Sequence, residues 1–139
     1  DRADARVCLR GAAMTMTILG PRQRTHRYPQ FLPDGRRFLF LSTGAADTAG
    51  IYLGALEGGA PTRLTPADGS GVYVPTGWLL WMRSGTLVAQ QLDVAKAALT
   101  GEPVALADGV AIDATLGQSA VSAAATHFNP WYCSLQLLL

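Results

Sequence analysis

The side chains best suited to chemistry in this chain are carboxylates. Asp34, Asp47, Asp68, Asp93, Asp108 and Asp113 recur along it, mostly beside glycine, proline or alanine. Aspartate in such places ordinarily shapes a turn, because its carboxylate can bond nearby backbone. Brought to one point with backbone carbonyls, the same oxygens make a hard site suited to Ca²⁺. Asp68 and Asp113 occupy matching places in the repeat described below, so they are the candidate metal ligands. Any such metal would then lack a histidine ligand.

Other reactive arrangements do not assemble. The phosphate-cradling pattern Gly-x-x-x-x-Gly-Lys is absent, and Gly58-Gly59 stands between two candidate strands. His26 and His127 are too far apart in sequence to form a metal-binding pair motif. Gly117-Gln118-Ser119-Ala120-Val121 has half of a nucleophile elbow but no closing glycine and no following helix. Cys8 and Cys133 lie near opposite ends without CxxC spacing, a pattern ordinarily of free thiols; a bridge would staple the ends of a closed ring. Arg22, Arg24, Arg27, Arg36 and Arg37, with His26, form the only basic concentration. A solvated face is its ordinary meaning, an anionic partner the other. With a net charge of +1, bulk electrostatics give no sign of nucleic acid.

The elements that must position these groups are strands. At 139 residues the chain is one domain's worth, 49% hydrophobic with 15% charged, well under the usual quarter or so of charged residues. Glycine and proline are frequent, and no long window carries a 3.6-residue apolar period with caps. No apolar run reaches the roughly 18 residues of a membrane helix, and the amino-terminal residues lack a signal-peptide layout. The class predicted is all-β.

The organising stretch is Phe31-Leu32-Pro33-Asp34-Gly35-Arg36-Arg37-Phe38-Leu39-Phe40-Leu41-Ser42. Pro33 presets φ, Asp34 can bond the backbone, and Gly35 can take a positive φ, so a tight turn is expected. The strand after it puts Phe38 and Phe40 on one face and Leu39 and Leu41 on the other. A strand apolar on both faces has to be covered on both. Around it, strands are expected at 14–19, 28–32, 37–42, 50–56 and 60–65, then at 72–75, 78–83, 85–93 and 103–107. Residues 1–13 read as irregular, and 94–102 as a long turn. Four strands thus recur after about 40–45 residues, the period of propeller blades. A third unit begins near residue 108 and fades. Trp78 and Trp81 fall on opposite faces of one strand, where they would pack between blades; a sugar-stacking or peptide-binding role requires that one of them be exposed.

Residues 26–124 resemble β-propeller blades with a Pro-Asp-Gly turn, the WD-repeat-like type of TolB-type proteins and of modules attached to bacterial serine/threonine kinases. The matching residues are 29–40, then Gly50-Ile51-Tyr52-Leu53, then Gly101-Glu102-Pro103-Val104. The second blade departs, with Val74-Pro75-Thr76-Gly77 at its turn. The resemblance implies a β-propeller of two to three four-stranded blades per chain, divided as a lead at 1–25, blades at 26–66 and 67–109, and a partial blade and tail at 110–139. It implies a binding module for a protein or small ligand at a ring face, in a bacterial periplasm or cytoplasm, and transfers no catalytic motif. Lactonase propellers, similar in architecture only, supply the alternative: a calcium-dependent hydrolase of small esters or lactones. Because a propeller needs typically 4–8 blades, two blades alone would leave apolar end faces, and closure by copies is expected, a homo-trimer foremost.

Overall fold

The turn at Pro33-Asp34-Gly35 forms as its residue types dictate. Gly35 adopts φ 64°, and its N–H donates to the Leu32 carbonyl at 2.9 Å. Asp34 Oδ1 accepts the N–H groups of Arg36 and Arg37, both at 2.9 Å. This hairpin seeds an all-β architecture. The computed structural model describes residues 19–110 throughout, with the backbone of four short strands outside that range.

In chain order the strands are β1 (Asp4–Val7), β2 (Thr15–Ile18), β3 (Gln23–Phe31), β4 (Arg37–Gly44), β5 (Gly50–Ala55), β6 (Thr62–Thr65), β7 (Val72–Val74), β8 (Trp78–Arg83), β9 (Thr86–Asp93), β10 (Ala98–Asp108), β11 (Ile112–Asp113) and β12 (Gln118–Ser119). Two four-stranded sheets result, β3-β4-β5-β6 and β7-β8-β9-β10, each an antiparallel meander in which every strand pairs with its sequence neighbour. β1 pairs with β2, and β11 with β12. Among the described residues there is no helix, hence none long and apolar enough to cross a membrane.

The two sheets stack through one core. Leu32, Leu39, Ile51 and Leu53 from the first interleave with Leu79, Trp81, Val88 and Leu92 from the second. Phe38, Phe40, Leu39, Leu41, Leu80 and Trp81 are all at most 3% exposed and sit on β4 and β8, interior strands of their sheets. Trp81 joins the inter-sheet core, and Trp78 packs on the opposite face of the second sheet beside Leu80, Met82 and Leu87, as their spacing requires. On the far face of the first sheet, Phe38 stands against Phe31 edge-on and Phe40 stacks on Tyr52. Gly54 lies opposite Phe38; a Cβ there would come within 2.8 Å of the Phe38 ring, so the missing side chain is what admits the phenyl group.

Four expectations change. Residues 4–7 of the supposed irregular lead form β1. β3 starts at Gln23 rather than 28, because the backbone bulges between Arg27 and Gln30 and then resumes pairing. β10 starts at Ala98 rather than 103, since a bulge between Thr100 and Val104 lets the strand continue through what reads as a turn. The end faces of the stack are also not open. Phe38 and Phe40 on one, and Leu80, Met82 and Leu87 on the other, are buried.

Candidate functional site

The sheets are joined at one corner by polar groups from β3 and the first hairpin. Gln30 uses its amide as a strand would. Its Oε1 accepts the Tyr73 N–H at 2.9 Å and its Nε2 donates to the Tyr73 carbonyl at 3.1 Å. β7 is an edge strand, and its otherwise open backbone groups are satisfied this way. Arg37 makes the second link: Nε donates to Asp34 Oδ2 at 2.7 Å, while a terminal guanidinium nitrogen donates to the Val94 carbonyl at 2.8 Å. The backbone N–H groups of Arg37 and Arg36, then the Arg37 side chain, hold the Asp34 carboxyl down to about 2. Burial, and after it the Asp34 charge, pushes the Tyr73 hydroxyl above its ordinary value. This corner is a structural clamp.

The aspartates singled out as oxygen donors are engaged one by one. Asp34 shapes its turn, Asp47 pairs with Arg22 at 2.6 Å, Asp93 Oδ1 accepts the Lys96 N–H at 3.0 Å, and Asp108 Oδ1 accepts the Thr86 hydroxyl at 2.6 Å. Asp68 lies on the link from β6 to β7. Its Oδ2 accepts the Ser84 N–H at 2.7 Å, and its own N–H donates to the Met82 carbonyl at 3.2 Å. Asp68 therefore braces the link onto the β8–β9 turn, where Ser84 holds φ 50°. A pocket of about 350 Å³ opens beside it, lined by Thr65, Pro66, Asp68, Met82, Arg83 and Ser84. Its companion Asp113 stands on β11, and the side chains of Asp113, Ser119, Cys8, Cys133 and His127 lie outside the described residues. Among the described residues, no three His, Cys, Asp or Glu side chains converge on one point.

The basic concentration resolves largely into local pairs. Arg22 meets Asp47, Arg36 meets Glu57 at 2.6 Å, and Arg37 meets Asp34. His26 lies with its ring centroid 4.6 Å from that of Phe40, and burial lowers its pKa below the ordinary 6.5. These contacts favour the solvated-face meaning.

A second cavity, of about 570 Å³, was not foreseen from sequence. Trp78, Gln91 and Thr100 are cross-strand neighbours on β8, β9 and β10, forming one row. Beyond Thr100 the β10 bulge swings Gly101, Glu102, Pro103 and Val104 out into a wall. Gly101 holds φ 71°, and its carbonyl accepts the Gln90 amide at 2.6 Å. The available signal was Gly101-Glu102-Pro103 itself, since a glycine and a proline inside a strand mark a bulge.

Compared with protein-family models, curated proteins and solved structures, the chain finds no match in any of the three.

Proposed function

We propose that the chain is a non-catalytic binding module built as two neighbouring blades of a β-propeller. The observation that carries this is the stacking of two consecutive four-stranded meanders through a shared core. Consecutive strands in each unit and face-to-face contact between units are what radial repetition requires. The Pro-Asp-Gly hairpin and its resemblance to blade turns support it further. Such a scaffold presents its turns at the two rims, where a protein or small ligand would bind. Completion of a ring belongs to the same reading, by further four-stranded units or by copies of the chain. Light scattering separates those versions: a discrete trimer supports closure by copies, and a monomer at micromolar concentration removes it.

The experiment that tests the module against a calcium-dependent hydrolase follows thermal melting and the hydrolysis of short esters and lactones, with Ca²⁺ added and with chelator. The module predicts no turnover and an unchanged melting temperature in both. Ca²⁺-dependent turnover that Asp68→Asn abolishes would replace it with the hydrolase.

A further inference from the structure

We infer that the cleft at Trp78 is a saccharide subsite that takes a neutral pyranose ring. It goes beyond the propeller reading and does not depend on it, because among the described residues the lining comes from the second sheet. The dimensions suit the ligand, since small-molecule sites run from about 300 to 1,000 Å³ and this one is about 570 Å³. Sugars present an apolar C–H face and a rim of hydroxyls. Trp78 supplies a broad aromatic surface of the kind such a face packs on. Gln91 and Glu102 are exposed, Thr100 is partly so, and all three line the cavity. An amide, a carboxylate and a hydroxyl together offer both donors and acceptors to hydroxyl groups.

Three other ligand classes fit less well. Anions meet the Glu102 carboxylate, and among the described residues no lysine or arginine lines the cleft. An extended peptide would need to pair along β10, the edge strand. There the ladder is broken between Thr100 and Val104 and Pro103 offers no N–H, the devices that protect edges from strand addition. A quaternary ammonium would value the indole and the carboxylate, but it has no use for Gln91 and Thr100, and among the described residues Trp78 is the single aromatic in the lining.

The test uses the full chain, ¹⁵N-labelled, with glucose, galactose, mannose, N-acetylglucosamine, maltose and cellobiose as probes and tetramethylammonium as the competing class. At about 10 mM probe, enough to fill most of a millimolar site, at least one saccharide should shift the Trp78 indole N–H resonance. Gln91→Ala, at an exposed position, should weaken that Kd roughly threefold to tenfold, the worth of one hydrogen bond. Trp78→Ala should weaken it about tenfold. Should Trp78→Ala unfold the chain, Gln91→Ala still decides. No shift with any saccharide, a response to tetramethylammonium alone, or a saccharide Kd unchanged by Gln91→Ala would each overturn the assignment.

Discussion

The two sheets share a backbone plan and differ in how their leading faces are finished. By strand pairing, Gln30, Arg37 and Leu39 of the first correspond to Val72, Trp78 and Leu80 of the second. In the first sheet the two polar positions reach across to its neighbour, Gln30 to Tyr73 and Arg37 to Val94. In the second sheet both are apolar and belong with Leu80 and Met82. Phe40 and Trp81 correspond likewise, each buried behind its strand. Yet Trp81 keeps an indole N–H without a hydrogen-bond partner. Pairing and alternation thus carry the repeat, while side-chain chemistry is free to differ between its copies. One leading face is clamped with polar bonds, and the other leaves Trp78 beside a cleft.

The largest expected effect tests whether the sheets are one cooperative unit. Phe40→Ala in the first sheet should cost about 3–5 kcal/mol, as for other buried aromatics. Because the core is shared, hydrogen exchange should then accelerate at β8 amides as well as at β4. Loss of protection confined to β4 would mean that the sheets unfold separately.

Next comes the clamp. Gln30→Val copies the second sheet's residue and strands the Tyr73 backbone groups, at a cost of about 1–3 kcal/mol in denaturant unfolding. A change near zero would show that β7 needs no partner at that edge.

The reverse exchange, Trp81→Phe, copies the first sheet's residue. It gives up ring volume but also removes a buried, unpartnered N–H, so the cost should stay below about 1.5 kcal/mol. A loss as large as that of Phe40→Ala would show that the indole N–H has a partner.

The smallest effect is in acid. The Asp34 carboxyl lies at about 2 against an ordinary 3.8, so its stabilisation is complete above about pH 4 and is lost as the pH falls towards 2. Asp34→Asn should flatten that limb of a melting-temperature curve. His26 is held below 6.5 by burial, which favours its neutral form. The first sheet should therefore lose stability as the pH falls below 6.5, and His26→Gln should remove that slope. A wild-type curve flat from pH 7 to 5 would show that His26 protonates without penalty.

Much of the fold was legible in the residues. Alternation put Phe38 and Phe40 opposite Leu39 and Leu41, Pro33-Asp34-Gly35 announced its turn, and Trp78 and Trp81 had to diverge. Each depends on neighbours along the chain, where strand geometry and φ preferences act directly. The bulges in β3 and β10 were not legible as strand continuations, because pairing on either side decides whether glycine or proline ends a strand or kinks it. Nor was the fate of the aspartates. Turn chemistry was written in Asp34, but the partners of Asp68 and Asp108 come from Ser84 and Thr86, which only the packed sheets bring near. The Gln30–Tyr73 clamp and the cleft at Trp78 were out of reach for the same reason. A sequence carries period and turn type, whereas contacts between strands distant along the chain depend on register and on the way the sheets stack.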